Sequence, residues 1–165
     1  MNLPKKVTSK AIVRFQDCDP FNHLNNGNYI DYFMNHREDM LIEHYGINVY
    51  QMAKEQGISW VSGSNQIAYL RPALLMEKVT IESELIHYTD SLLLVEMRMY
   101  NEDKTQLKSV LWASFVHFNL LKQKKHQHSE ELMTFFKSIH TPLAQRTFEE
   151  RINHIKSKMY SDTLS

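Results

Sequence analysis

Cys18 is the one cysteine in 165 residues. That scarcity excludes an internal disulfide and suits a reducing compartment, so a cytoplasmic location is the expectation. Charge of either sign is not in excess: 19 basic and 19 acidic residues leave a formal net charge of zero. No overall field draws such a chain to nucleic acid or to an anionic membrane, so neither is expected as a partner, and an anionic ligand must be met locally. Long hydrophobic runs are missing as well. No stretch reaches the roughly 18 to 20 apolar residues that cross a bilayer, and Met1 to Lys10 has lysines without the apolar segment of a secretion signal. Membrane insertion and export are not expected. What remains is 42% hydrophobic and 23% charged, without internal repeats, which is the make-up of one ordinary folded domain.

Glycine and proline are scarce, with four of each, so those present mark real breaks. Ala11, Val13 and Phe15 alternate with Ile12, Arg14 and Gln16 in strand fashion. Tyr29, Ile30, Phe33, Met34, Arg37, Leu41 and Tyr45 then recur on one helical face until Gly46. A shorter helical piece, Val49 to Glu55, stops at Gly57, and an extended segment from Ile58 to Leu70 is broken by Arg71-Pro72. Val79 to Leu85 and Leu93 to Met99 alternate apolar with polar residues and predict two half-exposed strands. Leu107 to Leu120 is apolar on both faces, which predicts a strand covered on both sides. Beyond a soft boundary near residue 121, two helical segments are expected around Glu130 to Ile139 and Ala144 to Lys158. One strand, one long helix and four antiparallel strands make an α+β fold in which a sheet wraps a helix.

The most polar connection lies between the first strand and the long helix. Residues 14 to 29 read Arg-Phe-Gln-Asp-Cys-Asp-Pro-Phe-Asn-His-Leu-Asn-Asn-Gly-Asn-Tyr. Asp17 and Asp19 sit on this turn, with His23, Asn25 and Asn26 just ahead of the exposed amides of the helix start. A carboxylate facing a helix N-terminus is suited to acyl chemistry. The bland alternative is that aspartate and asparagine here only cap and turn the chain, which is the commoner fate of these residues before a helix.

In these residues the first 120 positions resemble the hotdog-fold acyl-CoA thioesterases of the 4-hydroxybenzoyl-CoA thioesterase type. The resemblance rests on Arg14-Phe15-Gln16-Asp17-Cys18-Asp19, Asn22-His23-Leu24-Asn25-Asn26 and Tyr29, with Arg37 in the helix and Tyr69-Leu70-Arg71-Pro72 before the third strand. Two departures stand out. Asn22 replaces the family glycine, and Met34 replaces an acidic residue three positions before Arg37. The resemblance implies a hotdog domain over residues 1–121; the C-terminal helical extension over 122–165 lies outside it. It implies catalysis by Asp19, as nucleophile or general base, with the backbone amide of Asn26 polarising the thioester carbonyl. A donor of that kind is typically worth about 2.7 to 4 kcal/mol. His23 is expected to orient the turn, and Asn25, Tyr29, Tyr69 and Arg71 to contact an acyl-CoA substrate.

The resemblance further implies a homodimer or homotetramer whose site forms between subunits. No cofactor and no metal is expected. His126-x-His128 has no carboxylate or cysteine partner nearby in sequence and reads as a solvated pair. Cys18 lies between two carboxylates that disfavour its thiolate, so it is not expected to be the nucleophile. Lys122, Lys124 and Lys125, with Arg71, are secondary candidates for coenzyme A phosphates. The alternative function is a noncatalytic acyl-CoA binder or assembly subunit of the same fold, kept open by Met34.

Overall fold

Side-chain alternation builds the sheet in the computed structural model, which describes residues 2–164. Strand β1 spans Lys6–Ile12, β2 Ile58–Tyr69, β3 Lys78–Tyr88, β4 Leu92–Asn101 and β5 Leu107–Asn119, with a short β6 at Lys124–Lys125. All pairings are antiparallel and the order is β1-β3-β4-β5-β2, with β6 beside β5. One face of the curled sheet carries Val79, Ile81 and Leu85, Leu93, Met97 and Met99, and Leu111, Ala113 and Phe115, all in a single core. Helix α1, Tyr29–Tyr45, lays its buried stripe of Tyr29, Phe33, His36 and Met40 against that face. These residues are spaced three and four apart, so they share one side of the helix. The result is the α+β hotdog arrangement.

Helix ends follow local chemistry. Gly46 ends α1 in the left-handed region with φ of 66°, and the Ile47 amide bonds back to the Leu41 carbonyl at 3.0 Å. Helix α2, Val49–Gln56, is capped by Asn48, whose side chain accepts from the amides of Tyr50 and Gln51. It ends at Gly57, where φ is 67° and a Cβ would stand only 2.9 Å from the Leu121 side chain. Helix α3, Glu130–Ile139, starts at a Ser129 cap and places Phe136 and Ile139 in the main core. Helix α4, Phe148–Leu164, packs on the opposite face of the sheet, where Phe148 meets Trp112 edge-on with ring centroids 5.6 Å apart.

Three local expectations are corrected. The first strand ends at Ile12, and Phe15–Asp17 form a 3-10 turn with Phe15 exposed. The alternation from Ala11 to Phe15 mimicked a longer strand because turn residues can repeat that pattern by chance. The polar faces of β3 and β4 are not solvent-facing: Glu82, Glu96 and Arg98 are buried. Cross-strand register sets Glu82 against Arg98, and α4 adds Arg151, which holds both carboxylate oxygens of Glu96 at 2.8 Å. His128, expected in solvent, is buried against Trp60, whose indole N–H donates to its Nε2 at 3.0 Å. Among the described residues no helix is long and apolar enough to cross a membrane, and no group of three or more His, Cys, Asp or Glu is arranged to hold a metal.

Buried histidines give the fold a defined pH dependence. His36 lies between the hydroxyls of Ser9 and Ser83. Burial lowers it to about 4 against the opposing charge of Glu82. His117 is likewise lowered to about 4, by burial first and then by His128 and His126. Both rings are neutral in the fold at neutral pH, whereas in the unfolded chain they take up a proton near 6.5. The unfolded state therefore binds more protons between those values, and stability falls as pH drops from about 6.5 to 4, by roughly 3 kcal/mol for each ring. The buried Glu82 and Glu96 are held below 4.5, so their loss comes at lower pH still. Urea midpoints at pH 7 and 4.5 test this: the difference should shrink in His117→Gln, and an unchanged difference would refute the assignment.

Candidate active site

The loop from Asp17 to Asn25 folds into a tight hairpin before α1 begins. The amide of Asp19 donates to the carbonyl of His23 at 2.8 Å, and that of Asn25 to the carbonyl of Asp17 at 2.9 Å. Asn22, where the family has glycine, takes a left-handed φ of 62°, a conformation asparagine adopts more readily than most side chains. The loop is tied to the segment before β3: Leu24 donates to Ala73 and Leu75 to Asn22. Buried Tyr29 closes the joint by accepting the Ala73 amide at 3.1 Å.

Asp19 hangs inside this frame. Its Oδ1 accepts from the amides of Phe21 at 2.9 Å and His23 at 3.1 Å. Its Oδ2 makes no hydrogen bond with any described residue, which leaves one carboxylate oxygen available. Asn26 opens a 3-10 turn, Asn26–Asn28, that leads into α1. An amide at such a start has no carbonyl inside the turn to donate to. Asn25 caps the turn, its Oδ1 accepting from the Gly27 amide at 3.0 Å. From the far strand, the Tyr69 hydroxyl donates to the Asn26 carbonyl at 2.9 Å, and its ring meets Tyr29 edge-on with centroids 5.1 Å apart.

A hollow of about 210 Å³ collects these groups: Asp19, His23, Asn26, Tyr29, Tyr69 and Arg71 line it, together with Leu24, Leu70 and Pro72. Of Asp19, His23, Asn25, Asn26, Tyr29, Tyr69 and Arg71, Asn25 alone stays off the wall, because its side chain is turned to the Gly27 amide. Tyr69 and Arg71 reach the hollow from the end of β2, which the β2–β5 pairing brings across to the helix start.

The neighbours divide by task. Asp17 faces away from the hollow and accepts from the Tyr32 hydroxyl at 2.6 Å, which anchors the loop to α1. Burial, then the hydrogen bond to Asp17, holds Tyr32 up at about 12, so it stays a donor. The Cys18 thiol is pushed up by burial and then by the charges of Asp19 and Asp17, which disfavours a thiolate. Lys122, Lys124 and Lys125 are exposed and line neither this hollow nor the groove beside it. That second groove, sharing Tyr69, Leu70 and Arg71, is completed by Lys156, Met159 and Tyr160 of α4. Nothing in the sequence pointed to Lys156, because only the packing of α4 brings it to Arg71.

Comparison with known proteins gives a consistent result. None of the curated proteins matches the chain by sequence. Among solved structures, a probable thioesterase from Escherichia coli, YbaW, superposes with a TM-score of 0.69 at 24% identity over 80% of this chain and 97% of that one. A DHNA-CoA thioesterase from Staphylococcus aureus superposes at 0.71 with 17% identity, covering 81% of this chain and 87% of its own. The protein SAV2348 from Staphylococcus aureus, determined in complex with CoA, reaches 0.74 at 17% identity over 88% and 90%. At these identities the likeness is one of fold. The family model of the Thioesterase-like superfamily matches residues 13–136, most of the chain, from the Asp-bearing loop to α3. The chain belongs to the Thioesterase-like superfamily.

Proposed function

We propose that this protein hydrolyses an acyl-CoA thioester to a carboxylic acid and free coenzyme A. One observation carries the reading: a carboxylate with a free oxygen and the first amide of a helix-leading turn line the same small hollow. The thioester carbonyl lies with its oxygen toward the Asn26 N–H and its carbon toward Asp19 Oδ2. Asp19 attacks that carbon, or takes a proton from a water molecule that attacks it. The negative charge that grows on the carbonyl oxygen meets the amide and the positive end of α1. The C–S bond then breaks and the coenzyme A thiolate leaves. If Asp19 attacked directly, water hydrolyses the resulting mixed anhydride and restores the carboxylate. His23 fixes the turn through its backbone, Tyr69 fixes Asn26, and Tyr29 and Asn25 hold the start of α1. Arg71, beside Lys156 of α4, meets the phosphates of the coenzyme. The CoA complex of one structural relative and the CoA-ester substrate in the name of another support this choice of thiol carrier.

A second copy of the chain completes the site. Among the described residues strand β2 ends the sheet and pairs on one side only, with β5, leaving its other edge open. An open edge of that length is a pairing surface, so a homodimer joined through the sheets, or a tetramer of such pairs, is the assembly we infer. Residues 1–121 then form the catalytic unit and 122–165 its covering extension, in a cytoplasmic enzyme.

A noncatalytic acyl-CoA binder has one observation in its favour, since Asp19 Oδ1 is already spent on two backbone amides as in a simple turn. Thiol release measured with a chromogenic reagent over short, long and aromatic acyl-CoAs separates the two. Turnover of at least one ester is the expected result. Tight binding without release of thiol across the panel would favour the binder.

A further inference from the structure

A cavity of about 70 Å³ opens between the C-terminal half of α1, the inner faces of β3 and β4, and α3. None of its lining residues belongs to the hollow around Asp19. Its walls include Met40, Leu85, Leu93, Phe136 and Ile139, so they are almost wholly hydrocarbon. Such a space offers water few partners and suits an apolar body the size of a short chain or single ring.

One wall group does not fit an apolar chamber. Arg37 lines the cavity with its guanidinium carbon 3.8 Å from the centroid of the Phe115 ring. The ring face attracts the cation but does not neutralise it. Arg37 makes no hydrogen bond and no ion pair with any described residue. Burial lowers it to about 10, against the charge of Glu38, and it remains protonated at neutral pH. One turn earlier on the helix, where an acid could reach it, stands the uncharged Met34. Glu84, the only acid in the wall, is bound by Arg98 at 2.6 Å, and neighbouring Glu38 accepts from the Tyr50 hydroxyl. Lys5 at the rim adds a second positive charge.

A half-buried cation without an ion-pair partner among the described residues, beside an apolar cavity, matches one chemical species, an anion with an apolar body. We propose that this cavity is a binding site for a small organic carboxylate, a short fatty acid or single-ring acid, whose carboxylate pairs with Arg37 while its body fills the apolar chamber. The planar guanidinium can offer two parallel N–H donors to such a group. The site is separate from the hollow around Asp19 and does not depend on that hollow being catalytic.

Trp60 in the cavity wall supplies a readout, because the other tryptophan, Trp112, lies on the opposite face of the sheet beside Phe148. In the full-length protein, 6-bromohexanoate should quench part of the tryptophan fluorescence saturably, and 6-bromohexanol should bind at least tenfold more weakly. Arg37→Gln should erase the difference between acid and alcohol. Leu41→Phe, which narrows the chamber and leaves the charge, should weaken both, and circular dichroism verifies that each variant is folded. Absence of saturable quenching by the acid up to about 10 mM, where binding would be worth less than about 4 kcal/mol, would overturn the proposal. So would equal binding of acid and alcohol by the unaltered protein, since the cation would then play no part.

Discussion

Asp19→Asn is expected to lower kcat for thioester hydrolysis by two or more orders of magnitude while the protein stays folded. The substitution is selective because of how Asp19 is held. Its Oδ1 accepts from the amides of Phe21 and His23, and the amide oxygen of asparagine can accept the same pair. The turn therefore keeps its geometry, and a residue needed only for the turn would tolerate the change silently. What asparagine cannot do is attack a carbonyl as an anion or take a proton from water. A hundredfold loss corresponds to about 2.7 kcal/mol of transition-state stabilisation, within the range for removal of one nucleophile or base. The loss should fall on kcat with little change in KM, as Tyr69 and Arg71, the proposed acyl-CoA contacts in the wall of the hollow, are untouched. Steady-state thiol release and a far-UV spectrum decide the matter, and full activity in the variant would discard Asp19 as the reacting group.

Arg98→Met should cost about 3 to 5 kcal/mol of stability, the range for breaking a buried ion pair from one side. Arg98 is nearly enclosed and meets Glu82 at 2.9 Å and Glu84 at 2.6 Å, and it also binds Glu96. Burial alone would lower its affinity for a proton, but Glu96, Glu84 and Glu82 reverse that and hold the guanidinium firmly charged. The glutamates gain equally: burial pushes Glu96 up, and the hydrogen bonds from Arg151 and Trp112 with the charge of Arg98 bring it below the usual range. Methionine fills similar space but leaves three carboxylates close together, with Lys104 on Glu82 at 2.7 Å and Arg151 and the Trp112 indole on Glu96 as the remaining partners at hydrogen-bonding distance. For a chain of this size the loss amounts to roughly 6 to 20 °C in melting temperature. Arg151→Met should cost less, because Arg98 and the Trp112 indole still hold both oxygens of Glu96. Thermal melts of the two variants test the ranking, and equal or negligible shifts would show that the network contributes little.

The polar faces of β3 and β4 show where reading the chain alone stops. Thr80, Glu82 and Glu84 alternate with apolar residues just as a solvated face would. Alternation reports which residues share a face, but not what lies over it. Here α4 lies over it, and Arg151, far along the chain, supplies the charge that makes burial of Glu96 affordable. The same holds for His128, whose polar surroundings in sequence gave no sign that Trp60 and His117 would enclose it. Arg37 is the converse case. Its missing acid was visible at Met34, but the apolar cavity that makes the absence matter exists only once α3 packs against α1 and the sheet.

By itself the sequence determined the order of elements, the ends of α1 and α2, the acidic loop ahead of the long helix and the single-domain class. Those features rest on interactions between residues a few positions apart, such as the cap at Asn48, the left-handed Gly46 and Gly57, and the period of the buried stripe in α1. Only the tertiary structure decided that β2 crosses to pair with β5 at one edge while β1 pairs with β3 at the other. That pairing carries Tyr69 and Arg71 to the start of α1, where Tyr69 holds Asn26 beside Asp19. Strand partners are chosen by the burial of whole faces and not by neighbours in the chain, so the hollow is a product of packing that no local pattern encodes.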